Sequence, residues 1–372
     1  MRRRRRPSPW PGHGSADTCR GDGPMRWNDV FIGAAAASLG HAESTDQAVA
    51  DGRYPEKDRD GDGYLSVRVV DHGPAVDLAV AAGRLAVDRS GHRPEEFALV
   101  THSHVGFQGL DDFASAAHVQ RRTIGGPAVA TEVRQASNGG MAALELAAAY
   151  LSADPGRPAA LLTTSDVFHP PAYDRWGTSG TLYGDGGTAL VLSRGAGVAR
   201  LLSSVSLADT SHEGLQVGDE PWTVVSGGNG WPIDTGARIA GYVRQHGEEI
   251  FIDLVRRIFD AERRTVQGAL ADADVDPADI AWWVFPNMGL SLTDWDARAA
   301  LGVDRDRTTW PWGRRCGHLG AGDQFAALAY LLESRRVRVG DRVLVNGAGT
   351  GFTFTSAVLE IQAEPEWTIS AD

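Results

Sequence analysis

Cysteine is scarce in this 372-residue chain. The two present, Cys19 and Cys316, are too few for a disulfide framework and fit a reducing, cytoplasmic setting. Long apolar runs are missing too: no stretch of about 18 uninterrupted apolar residues occurs, so no membrane span is expected. Net positive charge is also lacking. A formal charge of −12 excludes nucleic acid as the main partner, because phosphate binding needs a concentrated basic surface. No cysteine, histidine and carboxylate cluster stands at metal-ligand spacing, so neither a metal nor a bound cofactor is expected.

What is present, 42% hydrophobic and 23% charged residues, suffices for a large core built as one big domain or two fused halves. Residues 1–24, "MRRRRRPSPWPGHGSADTCRGDGP", carry six arginines against two acids without apolar periodicity, the composition of a disordered basic arm. The folded chain is expected to start at Met25, which is also a candidate native start. From there short apolar strand candidates alternate with Ala- and Leu-rich helix candidates, the pattern of a layered α/β protein. The strands are "EFALVTH", "AALLTTSD", "GTALVLSR", "IAWWVFP" and "DRVLVNGAG", and the helices Val76–Val87, Gly139–Leu151, Glu248–Ala271 and Asp323–Ser334. Pro and Gly mark "HPPAYDRWGTSGTLYGDGG" as a long loop, of the kind that often carries function.

The helix "NGGMAALELAAAYL" is echoed by "GAGDQFAALAYLLE", and "GTALVLSR" by "GTGFTFTSAVLE". Two related halves, 25–198 and 199–372, would bring equivalent helix N-termini together, with Ser137 at one and His318 at the other.

The order of "VRQASNGGMAALELA", "YDRWGTSGTLYGDGGTALVL", "DIAWWVFPNMGLS", "GHLGAGDQFAALAYLL" and "GDRVLVNGAGTGFTFTSAVLE" resembles a ketoacyl-acyl-carrier-protein synthase III. The resemblance covers nearly everything from Met25 to about Ile361 and implies a thiolase-like, duplicated five-layer αβαβα fold, usually a homodimer. Three positions depart from the family pattern. Ala136-Ser137-Asn138-Gly139 replaces a cysteine nucleophile turn. Pro286-Asn287-Met288-Gly289 lacks the motif histidine, and Gly317-His318-Leu319-Gly320 stands where the family has asparagine. These changes are similar to a branch of antibiotic pathways that moves acyl groups onto hydroxyl acceptors or handles unusual starter groups.

The chemistry agrees with that resemblance. A serine hydroxyl is a weak nucleophile that depends on an adjacent base, normally a histidine oriented by a third group. Ser137, His318 and Asp323 supply those residue types. The resemblance adds an oxyanion hole from the Ser137 and Gly351 N–H groups, a substrate contact at Asn287, and Arg175 beside phosphopantetheine or nucleotide phosphates. Each has a plainer reading: Ser137 and Asp323 as helix N-caps, His318 as a satisfied core histidine, Asn287 as a backbone ligand.

Three features read as decoys. "DRDGDGYLSVRV" starts like a calcium loop at Asp58, Asp60, Asp62 and Gly63 but has Val69 where a bidentate Glu belongs. His102 and His104 follow a strand and read as strand-end packing, and Cys316 as a buried thiol.

Acyl carrier proteins are acidic, so an acidic enzyme needs a local basic face to meet one. Arg256, Arg257, Arg263 and Arg264 recur on one helix and are candidates for it, against the alternative of a solvated face. The family's coenzyme A contacts are missing around residues 50–70, which favours a carrier-protein thioester over coenzyme A as donor. The expected activity is acyl transfer to a small hydroxyl acceptor through acyl-Ser137. The alternatives are a starter-unit ketosynthase and an inactive partner subunit.

Overall fold

The computed structural model describes residues 25–154, 156–178 and 180–367. The basic arm, with Cys19, lies outside the described residues. Eleven strands are seen among them: β1 (Phe31–Leu39), β2 (His41–Ser44), β3 (Ser66–Val69), β4 (Phe97–Ser103), β5 (Val129–Glu132), β6 (Ala159–Asp166), β7 (Gly186–Ser193), β8 (Ala199–Ala208), β9 (Ile280–Val284), β10 (Arg342–Gly349) and β11 (Thr353–Ile361). The helices are α1 (Thr45–Ala50), α2 (Glu56–Asp62), α3 (Ala75–Ser90), α4 (Ser115–Thr123), α5 (Gly139–Ala153), α6 (Thr235–His246), α7 (Glu249–Ala273), α8 (Trp295–Ala300), α9 (Trp310–Gly313) and α10 (Asp323–Glu333).

Nine strands join in the order β5-β4-β6-β7-β1-β8-β11-β10-β9, and β2 pairs with β3 separately. The pairing scheme repeats across the centre. Antiparallel β1·β7, antiparallel β7·β6 and parallel β6·β4 are matched by antiparallel β8·β11, antiparallel β11·β10 and parallel β10·β9. The two half-sheets meet where Phe31 and Ile32 oppose Arg200 and Ala199, and the segment before β1 continues the pairing, with Arg26 opposite Ser203.

Helix burial follows from composition. α5 is apolar nearly all round and buries Met141, Leu144, Ala147 and Leu151, as a helix covered on both sides must. It touches β4 and β6 on one side and β10 and β11 on the other; α10 touches β1 and β7, then β9 and β10. Outside these, α3 covers β1, β6 and β7, and α7 covers β8, β10 and β11. The result is five layers, helix, sheet, helix, sheet, helix, in a thiolase-like α/β fold. β4, β6 and β7 are buried along their whole length, which explains their unbroken apolar runs. The N-termini of α5 and α10, in the middle layer, are where the candidate residues lie.

Candidate active site

Between β5 and α5 the chain turns at Gln135–Asn138, closed by the Asn138 N–H on Gln135 O (3.0 Å) and the Gly139 N–H on Ala136 O (3.0 Å). Ala136 holds φ 46°, a left-handed conformation a residue with a Cβ seldom adopts, immediately before Ser137. Ser137 is not the helix N-cap: that position is Asn138, and the serine hydroxyl instead donates to His318 Nε2 at 2.7 Å. The first turn of α5 lies against the histidine-bearing segment, because Gly140 has no Cβ; one added there would stand 2.6 Å from Ala321 O.

His318 is fixed on both sides. Its backbone N–H donates to Leu182 O (2.7 Å) and its carbonyl accepts from the Gly184 N–H (2.9 Å), so the long loop before β7 holds it. Its Nδ1–H donates to Asp323 Oδ2 at 2.6 Å. A carboxylate only accepts, so this bond leaves Nε2 as the acceptor facing Ser137. Asp323, fully buried, also accepts from the Leu319 N–H (2.7 Å), the Asn287 N–H (2.8 Å) and the Asn287 amide (3.2 Å). Burial by itself would lower the proton affinity of His318. The charge and hydrogen bond of Asp323, with Asp166 beyond, hold its pKa above the ordinary value.

Ser137, His318 and Asp323 are thus in one hydrogen-bonded row. Gly351 follows Gly349, which packs against Gln135 O and Asn138 of the nucleophile turn. Neither the Ser137 nor the Gly351 N–H has a backbone acceptor among the described residues.

Asn287 is placed otherwise than the substrate contact expected of it. Only 2% exposed, it donates its side-chain amide hydrogens to Gly317 O (3.1 Å) and Asp323 Oδ1, while its backbone carbonyl accepts from the Tyr64 hydroxyl (2.6 Å). The side chain buttresses Asp323 instead of facing a thioester.

Arg175 also differs from expectation. At 6% exposure its guanidinium pairs with Asp185 (2.8 Å) and donates to the carbonyls of Tyr183 (2.7 Å), Phe168 (3.1 Å) and Arg68 (3.2 Å). Four of its five N–H hydrogens are spent on these acceptors; the residue ties the long loop that carries Tyr183 and braces His318. Arg175→Ala is expected to destabilise the protein by about 3–5 kcal/mol, because it takes the arginine away from the fully buried Asp185 carboxylate, whose remaining hydrogen bonds come from the Val70 and Phe168 N–H groups. A denaturant midpoint measures this, and an unchanged midpoint would contradict it.

The arginines of α7 mostly have acidic neighbours. Arg256 and Arg257 pair with Asp253, Arg257 also with Asp209 (3.0 Å), and Arg263 with Asp260. Only Arg264 shows no ion pair among the described residues, so the helix presents mixed charge.

The decoys resolve into structure. Asp62 accepts from Tyr54 Oη (2.8 Å), the Gly180 N–H (2.9 Å) and Ser291 Oγ at the end of α2. His102 bonds Thr163 and Gln108, and burial pushes it down to about 4. Cys316 is fully buried, its thiol pushed up to about 12 by burial. Sequence reading missed Tyr183, whose ring lies 5.9 Å from that of His318 in an aromatic group with Phe168 and Tyr173. It also missed Asp166, whose one signal was a carboxylate closing a buried parallel strand.

Comparison with known proteins agrees with this fold. Residues 270–361 match the C-terminal model of 3-oxoacyl-[acyl-carrier-protein] synthase III. ChlB3, a solved structure described as an acyltransferase, is 34% identical, with a TM-score of 0.85 over 92% of this chain and all of that one. The chain belongs to the 3-oxoacyl-acyl-carrier-protein synthase III-like family. The beta-ketoacyl-[acyl-carrier-protein] synthase III of Rhodospirillum centenum is 29% identical over 76% of this chain and 83% of its own. The 3-oxoacyl-(acyl carrier protein) synthase III of Xanthomonas oryzae pv. oryzae, 18% identical with a TM-score of 0.71 over 90% of this chain and all of that one, shares the fold. The family's members are condensing and acyl-transferring enzymes. Among the described residues no helix is long and apolar enough to cross a membrane.

Proposed function

We propose that this family member is an acyltransferase that takes an acyl group from a thioester onto Ser137 and delivers it to a hydroxyl of a small acceptor. The observation that carries this reading is the row Ser137 Oγ–His318 Nε2 at 2.7 Å and His318 Nδ1–Asp323 Oδ2 at 2.6 Å. In the first half-reaction Ser137 Oγ attacks the thioester carbonyl carbon as its proton passes to His318 Nε2. The tetrahedral oxyanion faces the Ser137 and Gly351 N–H groups, at the positive end of α5. Collapse expels the thiolate, which takes the proton from His318. In the second half the acceptor hydroxyl gives its proton to His318 while its oxygen attacks the ester; collapse returns that proton to Ser137.

Three things support oxygen over carbon as the acceptor. An attacking hydroxyl must lose a proton and so needs the neutral base that His318 provides, whereas a decarboxylated extender is already a carbanion. Decarboxylation needs donors aimed at the malonyl thioester oxygen, and the amide hydrogens of Asn287 are spent on Gly317 and Asp323. The description of ChlB3 as an acyltransferase points the same way. The donor in this reading is the phosphopantetheine thioester of an acyl carrier protein, the partner in the names of the curated relatives, with coenzyme A as the alternative. No cofactor beyond the thioester enters the reaction. The setting is an antibiotic or polyketide pathway and the working form a homodimer.

The test offers the acylated protein malonyl carrier protein on one side and alcohol acceptors on the other. Carbon dioxide and ketoacyl product should stay at background while ester forms. Steady ketoacyl turnover would replace this reading with a starter-unit ketosynthase, and no acylation of any kind with an inactive partner subunit.

A further inference from the structure

Asp166 is a second buried carboxylate beside the catalytic row, and the steps above leave it unused. It closes β6 at 0% exposure, and no lysine or arginine pairs with it among the described residues. Its carboxylate binds three backbone donors. Oδ1 accepts from the N–H groups of Val105 (2.8 Å) and Gly106 (2.7 Å), and Oδ2 from the Ala321 N–H (3.2 Å). Ala321 sits in the segment between His318 and Asp323, so one side chain fastens that segment to the loop after β4. Gly320 makes the approach possible: it has φ 62°, and an added Cβ would lie 2.1 Å from Asp166 Oδ2.

A buried carboxylate without a cation is costly, and a salt bridge or a neutral side chain would hold a loop as well. Its charge must therefore serve something nearby. The titratable groups whose proton affinity responds to it are His318, Tyr173 and Tyr183, and His104 acts on it in turn. Tyr173 is also near Arg134 and Arg238, whose charge reaches this side of the cleft through that ring. Around His318 itself stand Ser137, Asp323, Tyr183 and Asp166. Of these only the two aspartates carry charge that favours an imidazolium.

We propose that Asp166 is a positioning residue of the acylation step: it fixes the His318–Asp323 segment and, as an anion, supports the imidazolium formed when His318 takes the Ser137 proton. The proposal rests on the acyl-serine reading for its role in turnover, while its effect on the His318 ring stands apart from that reading. Burial pushes the Asp166 carboxyl up to about 6 against the pull of its three N–H donors, and its charge in turn raises the proton affinity of His318. The two groups should therefore titrate as a coupled pair.

The experiment follows the His318 imidazole by NMR across pH, together with the pH profile of Ser137 acylation by an acyl thioester. In the parent protein the His318 signal should move in two steps; a single simple step would overturn the coupling without any variant. Asp166→Asn should shift the His318 titration and the acid limb of acylation down by about one pH unit, with the plateau rate about tenfold lower. Gly320→Ala, which displaces the segment and keeps the charge, should lower the plateau but leave the acid limb in place. An Asp166→Asn protein that loses rate with an unmoved limb and His318 titration would make Asp166 merely structural and sink the proposal. If the parent protein forms no acyl adduct, the acyl-serine reading fails, and the NMR titrations still decide the link between Asp166 and His318.

Discussion

Ser137→Ala is expected to abolish the covalent acyl adduct, and Ser137→Cys to keep it. The serine hydroxyl is the nucleophile held on His318 Nε2, and alanine removes the oxygen without filling its place. The chain's described cysteine cannot substitute: Cys316 is fully buried and its thiol, pushed up to about 12, supplies almost no thiolate at neutral pH. Cysteine at 137 has nearly the volume of serine and a lower pKa, so it should lose its proton to His318 readily and attack the same carbonyl. Intact mass after incubation with an acyl thioester, with the modified peptide located by fragmentation, measures both variants. An adduct of undiminished yield on Ser137→Ala would remove this residue from the mechanism.

Much of this was legible because the residues concerned were constrained by local rules. The strands "AALLTTSD" and "DRVLVNGAG" appear at β6 and β10 within a residue of the sequence reading, since strands covered on both faces leave unbroken apolar runs. The helices α5 and α10 were equally plain from their alanine and leucine content. The strand β8 was overlooked because its centre, "LLSSVS", mixes serines into a buried run; Ser203 and Ser204 satisfy their hydroxyls on Ala269 O and Glu145, which no local pattern announces. The short strands β2, β3 and β5 owe their pairing to partners far along the chain.

The same division holds in the site. Ser137 and His318 could be named because each sits at a motif position where the residue type itself had changed, and Asp323 because it stands five residues beyond that histidine. Arg175 and Asn287 were assigned to substrate because motif position does not say which way a side chain points. Arg175 turns inward to Asp185, and Asn287 to Asp323. Asp166 was invisible as a functional group because its partners are backbone N–H groups, which every residue carries.

His318→Ala is expected to lower the rate of Ser137 acylation by about 10²–10⁴, the usual cost of losing a positioned general base. Asp323→Asn should fall in the same range. Asp323 accepts from four donors, and an amide in its place must turn an N–H toward at least one of them. If that face meets His318, the ring is driven to the tautomer with hydrogen on Nε2, which cannot take the serine proton. If it meets Leu319 and Asn287, the support behind the ring is lost. The pH profile carries the sign of the mechanism. Acylation needs neutral His318, whose pKa is held above its ordinary value by Asp323 and Asp166 against the effect of burial, so the rate should climb as pH rises through that raised value and then level off. Asp323→Asn removes the nearer of the two charges and should move any residual acid limb to lower pH. Single-turnover acylation across pH measures both effects. A His318→Ala rate within about tenfold of the parent, or a parent rate that falls as pH rises toward neutrality, would assign the activation of Ser137 to a different base.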